Sequence, residues 1–116
     1  MKILIVDDSR VMRETIKSIV AAPADLIAEC EDGSSVISAY ESFRPDWVLM
    51  DMKMSRTNGI EATRALKAIH PEACVAIVTN YGDQEFRDEA SAAGADEYFL
   101  KDNLPAIRPR LEHRTT

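Results

Sequence analysis

The chain has 116 residues, of which 46% are apolar, and it is predicted to form one domain with a single hydrophobic core over residues 1–116. Its 20 acidic residues outnumber its 14 lysines and arginines, giving a formal net charge of −6. This balance argues against direct nucleic-acid binding, which needs a basic face to displace counterions from phosphate. The apolar segment after Met1 is too short for a signal peptide or a membrane span, so we expect a cytoplasmic protein that binds other proteins and no membrane.

Five short apolar segments predict the strands of a parallel sheet. Each is mostly β-branched or aromatic and is apolar without alternation, as expected for strands that helices cover on both faces. The segments are Ile3–Val6, Leu26–Ala28, Trp47–Met50, Val75–Val78 and Tyr98–Leu100.

Between and after these segments, apolar residues recur at intervals of three and four, which predicts five amphipathic helices. The stripes lie within residues 12–20, 36–43, 62–69, 86–93 and 104–111. Asp83 is the expected N-cap of the fourth helix and Gly94 its expected C-cap. Pro105 and Pro109 interrupt the fifth stripe, so we expect the last helix to be short or kinked.

The strict alternation of strands and helices implies right-handed crossovers and a doubly wound α/β sheet. Ligands of such sheets bind beyond the carboxyl ends of the strands. Polar residues stand at four of those ends: Asp7 and Asp8 after the first strand, Asp51 after the third, Thr79 after the fourth and Lys101 after the fifth. Singly, each has a simpler explanation, such as a helix cap, but the combination is hard to obtain by accident.

Three carboxylates at one rim repel one another, so they require a cation or raised pKa values. Lys101 supplies one positive charge, and a divalent ion can supply the rest. Because the ligands are all hard oxygens, they favour Mg²⁺, with Mn²⁺ possible. A carboxylate beside Mg²⁺, a lysine and a hydroxyl is suited to phosphoryl transfer with the carboxylate as nucleophile.

The same residues resemble the receiver domains of two-component response regulators. The resemblance spans nearly the whole chain and rests on Ile3–Ser9, Asp51–Met54 with Gly59, Val78–Thr79 and Ala93–Lys101. It implies a flavodoxin-like sheet of five parallel strands in the order 2-1-3-4-5 with five helices, an order that periodicity alone does not give.

The resemblance implies a signalling module rather than an enzyme with a separate substrate. Asp51 is expected to take a phosphoryl group from a sensor histidine kinase or a histidine phosphotransfer protein. The domain would catalyse this step and a slow dephosphorylation itself, with Thr79 and Lys101 as further catalytic residues. The Mg²⁺ ligands are expected to be Asp7, Asp8, Asp51 and the backbone carbonyl of Lys53.

The resemblance further implies a switch between two conformations. Thr79 is expected to move toward the phosphoryl group and Tyr98 to turn inward, which changes binding to a downstream protein or an output domain. Lys53 and Tyr81 lie two residues beyond Asp51 and Thr79, and we expect their bulk to hinder the attacking water and lengthen the life of the phosphorylated form.

Four features depart from the commonest family pattern: Ser55 and Asp102 stand where proline is usual, Asn80 stands where a small residue is usual, and Pro105 and Pro109 interrupt the last helix. Two other functions remain open. A degenerate receiver would bind partners without phosphorylation, although the intact acidic and lysine residues argue against it. A magnesium-dependent phosphohydrolase usually has a second Asp two residues after its nucleophile, where this chain has Lys53. The initial Met favours a complete single-domain regulator over the receiver part of a longer one.

Overall fold

A five-stranded parallel sheet with helices on both faces forms the centre of the computed structural model, which describes residues 1–115. The strands are β1 (Lys2–Val6), β2 (Leu26–Cys30), β3 (Trp47–Asp51), β4 (Val75–Thr79) and β5 (Glu97–Leu100). They lie in the order β2-β1-β3-β4-β5, and each neighbouring pair is parallel. The predicted flavodoxin-like fold and strand order are therefore confirmed.

The end of β2 differs from the prediction. The apolar segment stops at Ala28, but the strand continues to Cys30, which pairs with Val6 of β1. Because β2 is an edge strand, Glu29 can face outward, where Arg13 and Lys17 each lie 2.9 Å from its carboxylate. The strand therefore contains a charged residue, so a search for apolar segments places the end of β2 too early.

The five predicted helices are also present. They are α1 (Arg10–Val20), α2 (Val36–Phe43), α3 (Gly59–Ile69), α4 (Gln84–Ala92) and α5 (Ile107–Thr115). Asp83 is the N-cap of α4 as predicted, but Gly94 is not its C-cap. Ala93 takes that position, and Gly94 follows it with φ 105°, a left-handed conformation that glycine adopts without steric cost.

The apolar side chains form one layer on each face of the sheet. The layer beneath α2, α3 and α4 includes Leu4, Val48, Met50, Leu66 and Ile77. The layer beneath α1 and α5 includes Ile3, Ile5, Trp47, Ile107 and Leu111. Each fully buried side chain of this size contributes about 1.5–3 kcal/mol to folding, so the two layers hold the carboxyl ends of the strands in fixed positions.

The stretch predicted as the last helix is kinked, as its prolines predict, and the α-helix itself begins only at Ile107. A 3₁₀ segment, Lys101–Ala106, precedes α5 and is interrupted at Asn103 (φ −138°, ψ 48°). Pro109 lies in the first turn of α5, where backbone N–H groups have no helical partner, so the helix continues past it. Ile107 and Leu111 are fully buried and hold α5 against the sheet.

A buried ion pair fastens α5 to the loop before β2. The side chain of Asp25 is 1% exposed, and it accepts hydrogen bonds from the Arg108 guanidinium and, at 2.8 Å, from the N–H of Ala22. Burial acts to raise the pKa of Asp25, but these donors outweigh it and hold that pKa well below its usual range. Ionised Asp25 therefore stabilises the folded state.

The Asp25→Asn variant is expected to lose about 3 kcal/mol of unfolding free energy near neutral pH, because Arg108 is left without its buried partner. Since the pKa of Asp25 is depressed in the folded state, this contribution is complete above the unfolded pKa of about 3.9 and fades as the pH falls below it. Urea unfolding at neutral and acidic pH measures both effects. The exposed Asp88→Asn is the matched control, and an equal loss in both variants would contradict the assignment.

Candidate functional site

Three carboxylates converge at the rim formed by the carboxyl ends of β1 and β3. Asp7 and Asp51 are 1% and 6% exposed, whereas Asp8 is exposed to solvent. Each residue offers an oxygen atom that lies within 4.8 Å of the other two. The sheet brings them together because β1 and β3 are paired, with Val6 opposite Met50. The predicted acidic cluster is therefore present in the folded chain.

Backbone groups and one arginine hold Asp7 in place. Its Oδ1 accepts a hydrogen bond of 2.9 Å from the N–H of Ser9, and its carbonyl accepts one of 2.6 Å from Arg13. Ser9 also begins α1, since its side chain accepts the N–H of Met12 at 3.2 Å. Sequence reasoning missed Arg13, because nothing in its position one turn into α1 indicates a contact with the strand end.

Lys101 lies between the two buried carboxylates. Its Nζ is 3.1 Å from Oδ2 of Asp7 and 3.1 Å from Oδ1 of Asp51. Burial acts to lower the pKa of Lys101, but Asp51 and Asp7 outweigh it and raise that pKa above its usual value. The lysine is thus firmly cationic and is placed to compensate charge that develops on Asp51.

The carboxyl group of Asp51 is harder to ionise than an ordinary aspartate. Burial, followed by the negative charge of Asp7, raises the pKa of Asp51 to about 6, although Lys101 opposes the shift. A second positive charge at this rim would remove much of that cost.

The acidic pocket could hold a metal ion. Oδ2 of Asp7 is buried and, within residues 1–115, has no hydrogen-bond partner of good geometry, although the Lys101 ammonium is close enough to form an ion pair. One lysine cannot neutralise three carboxylates, and every ligand atom is a hard oxygen, which suits Mg²⁺. The predicted fourth ligand, the carbonyl of Lys53, stays a prediction.

The residues predicted to form the switch meet at the backbone of Tyr81. Thr79 is 1% exposed, and its Oγ1 accepts the N–H of Tyr81 at 3.2 Å. The hydroxyl of Tyr98 donates to the carbonyl of Tyr81 at 2.5 Å, while the Arg87 guanidinium lies 4.6 Å from the Tyr98 ring centroid. A movement of Thr79 would therefore reach Tyr98 through a single residue.

The two residues that flank the site contact each other. Nζ of Lys53 lies 4.6 Å from the ring centroid of Tyr81 and 5.4 Å from that of Phe86, distances typical of cation–π contacts. Tyr81 and Phe86 in turn pack edge to face, with centroids 5.8 Å apart. Phe86 belongs to the apolar stripe that predicts α4, and the structure adds it to this cluster.

Fold and site together define a flavodoxin-like α/β domain with an acidic site at the carboxyl ends of its strands. A family model described as the response regulator receiver domain matches residues 3–112, so the chain belongs to that family. Within residues 1–115, no helix is long and apolar enough to cross a membrane.

Individual relatives agree with this family. The chain is 35% identical over 100 residues to the chemotaxis protein CheY of Halobacterium salinarum, covering 86% of this chain and 83% of that protein. It is 34% identical over 103 residues to the transcriptional regulatory protein DegU of Brevibacillus brevis, covering 87% of this chain and 44% of that protein. A two-component response regulator of the LuxR family from an Aurantimonas species superimposes with a TM-score of 0.87 at 30% identity, covering 98% of this chain and 83% of that one. The chain spans about half the length of the first transcriptional regulators that it matches.

Proposed function

We propose that this receiver domain is a phosphorylation-controlled switch in which Asp51 accepts the phosphoryl group. The observation that carries the proposal is the convergence of three carboxylates within 4.8 Å, with Lys101 at 3.1 Å from two of them. The phosphoryl donor would be a sensor histidine kinase or a histidine phosphotransfer protein. The recipient of the signal would be a separate protein or an attached output domain.

In the proposed step, a carboxylate oxygen of Asp51 attacks phosphorus and forms an acyl phosphate. The P–N bond of the donor phosphohistidine breaks, and its electron pair stays on the imidazole nitrogen, which then takes a proton. Lys101 compensates negative charge on the transferred group, and the hydroxyl of Thr79 donates a hydrogen bond to it. Asp7, Asp8, Asp51 and the Lys53 carbonyl would hold Mg²⁺, which when bound neutralises charge on the phosphoryl oxygens.

Intact mass spectrometry tests this function directly. The wild-type protein, incubated with a small acyl phosphate and Mg²⁺, is expected to gain the mass of one phosphoryl group. The gain should vanish with a chelator and in Asp51→Asn, but persist in Asp88→Asn, whose carboxylate is exposed on α4. If the wild-type protein gains no phosphoryl mass, the result would support a degenerate receiver. Rapid turnover of many phosphomonoesters would support a phosphohydrolase.

The switch is proposed to run from Thr79 through Tyr81 to Tyr98. Both hydrogen bonds to Tyr81 support this route, because displacement of the Thr79 hydroxyl frees the N–H of the residue whose carbonyl binds Tyr98. Fluorotyrosine NMR can follow the three tyrosines. Addition of beryllofluoride and Mg²⁺ is expected to shift the Tyr98 resonance and leave that of Tyr40, which lies on α2, in place. An unmoved Tyr98 resonance would contradict the switch.

The contact between Lys53 and Tyr81 supports their proposed role in slowing dephosphorylation. Held together at 4.6 Å, the two side chains would hinder the water that attacks phosphorus in line with the Asp51 oxygen. The Lys53→Ala, Tyr81→Ala double variant is expected to lose its phosphoryl group about tenfold faster, a barrier change of about 1.4 kcal/mol. The rate at which the phosphorylated mass disappears measures this loss. An unchanged rate would contradict the proposed role of the two side chains. Arg64→Ala on α3 controls for the loss of an exposed positive charge.

A further inference from the structure

Asp8, which follows β1, accepts a hydrogen bond from the loop that follows β3. Unlike Asp7 and Asp51, Asp8 is exposed, and an exposed carboxylate ordinarily samples several rotamers. Its Oδ2 accepts a hydrogen bond of 2.8 Å from the backbone N–H of Ser55. Ser55 lies in the loop between β3 and α3 and is itself exposed.

The loop that carries Ser55 is closed on itself. The N–H of Met54 donates to the carbonyl of Thr57 at 3.2 Å, and the N–H of Gly59 donates to the carbonyl of Met52 at 2.7 Å. These bonds fix the path of the chain on both sides of Ser55, so its N–H has a defined direction.

A side-chain contact fastens the same loop to the loop after β2. The hydroxyl of Thr57 donates to Oδ1 of Asp32 at 2.6 Å and accepts the N–H of Gly33 at 3.0 Å. Gly33 is buried against Thr57, where a Cβ atom would lie 2.9 Å from the Thr57 Cβ. The position of the Ser55 N–H is therefore set by tertiary contacts as well as by the turn.

We propose that Ser55 is a positioning residue of the metal site, and that its backbone N–H orients Asp8 for a divalent cation. The inference rests on the proposed function, since it assumes that the acidic cluster binds Mg²⁺. The N–H donates to Oδ2 of Asp8, and a carboxylate oxygen of Asp8 lies within 4.8 Å of oxygens of Asp7 and Asp51. Hydrogen bonds of this kind to metal ligands typically change metal affinity by about 10- to 100-fold when they are lost.

The contact depends on the main chain, not on the serine hydroxyl. Any residue except proline supplies an N–H at this position, because the pyrrolidine ring replaces the amide hydrogen. Ser55→Pro and Ser55→Ala are thus a matched pair: both remove the hydroxyl, but only the proline variant removes the donor.

Calorimetric titration of the metal-free proteins with MgCl₂ tests the proposal. Ser55→Ala is expected to bind Mg²⁺ within about twofold of the wild-type affinity, and Ser55→Pro about tenfold more weakly or worse. Equal affinities in all three proteins, or an equal loss in both variants, would overturn the role of the Ser55 N–H while the metal site itself stands. A wild-type protein that binds no Mg²⁺ would overturn the metal site as well.

Amide hydrogen exchange provides a measurement that does not depend on the proline variant. In the metal-free wild-type protein, the Ser55 amide is expected to exchange slowly, and Asp8→Ala should speed its exchange about tenfold by removing the acceptor. The Gly59 amide, bonded to the Met52 carbonyl, should be unaffected and serves as the internal reference. A Ser55 amide that exchanges equally fast in both proteins would show that Asp8 is not held, and the proposal would fail.

Discussion

Asp51→Asn is expected to be more stable than the wild-type protein at neutral pH while being unable to take up a phosphoryl group. The wild-type side chain is 6% exposed and stands beside Asp7, so its negative charge is costly in the folded state. Asparagine has nearly the same shape and no charge. The charge that the proposed nucleophile needs for its reaction is thus expected to lower the stability of the folded state.

The pKa of Asp51 gives the sign and the pH range of this effect. Burial and Asp7 raise that pKa to about 6, whereas the unfolded value is about 3.9. Between these two values the folded state binds more protons than the unfolded state, so this group's contribution to stability falls as the pH rises. Above pH 6 the loss is complete and amounts to about 2–3 kcal/mol, since each pKa unit corresponds to about 1.4 kcal/mol.

Urea unfolding in the presence of a chelator measures this effect. Asp51→Asn should exceed the wild-type unfolding free energy by about 2–3 kcal/mol at alkaline pH, and the difference should shrink toward the acidic end of the range. Asp88→Asn, exposed on α4, should differ little from the wild-type protein at either pH. A variant that is less stable than the wild-type protein at alkaline pH would contradict the cost assigned to the Asp51 charge.

Mg²⁺ should reduce the difference in unfolding free energy between the two proteins, and at about 100 times its Kd for the wild-type protein it should offset that difference. A cation that binds only the folded state stabilises it in proportion to the logarithm of its concentration over its Kd. The wild-type protein should gain this stabilisation, and Asp51→Asn, which lacks one carboxylate of the cluster, should gain less. If Mg²⁺ stabilises both proteins equally, Asp51 is not a ligand of the metal. Its role as nucleophile is tested separately by the mass measurement.

Much of the fold could be predicted from the sequence because burial leaves a direct trace in residue type. β3 and β4 are buried at every position, so their segments are nearly continuously apolar. β2 is an edge strand with a solvent-facing glutamate, and its end was therefore missed. Strand order came from the family resemblance, because periodicity describes one element at a time and carries no information on which strands are neighbours.

The acidic residues of the site could be predicted because parallel strands place their carboxyl ends at one rim. The groups that hold those residues could not. Ser9 and Ser55 act through backbone N–H groups, which every residue except proline possesses, so their side chains give no signal. Arg13 reaches the carbonyl of Asp7 only because α1 turns it toward the strand end. Such contacts follow from loop and helix geometry rather than from residue type.

Adding a single methyl group at Gly59 is expected to destabilise the folded state strongly. A Cβ atom built there would lie 1.9 Å from the carbonyl oxygen of Asp51, 2.8 Å from its carbonyl carbon and 3.0 Å from the Cα of Met52. All three are backbone atoms at the end of β3, so no side-chain rotation can relieve the overlap. The start of α3 would have to move away from the strand that carries Asp51.

The Gly59→Ala variant is therefore expected to lose about 3 kcal/mol or more of unfolding free energy and to bind Mg²⁺ more weakly. Separation of α3 from β3 would break the 2.7 Å hydrogen bond from the Gly59 N–H to the Met52 carbonyl and loosen the packing of Ile60 and Leu66. Urea unfolding and MgCl₂ titration measure the two losses.

Gly82→Ala separates this steric cost from a general effect of replacing glycine. A Cβ atom at Gly82 would meet only the side chain of Leu100, at 3.4 and 3.5 Å, which is ordinary van der Waals contact. Its stability should stay within about 0.5 kcal/mol of the wild-type protein. If Gly59→Ala is as stable as Gly82→Ala, then α3 can move away from β3 without a loss of stability. The close approach of Gly59 to Asp51 would then not help to hold the proposed nucleophile in place.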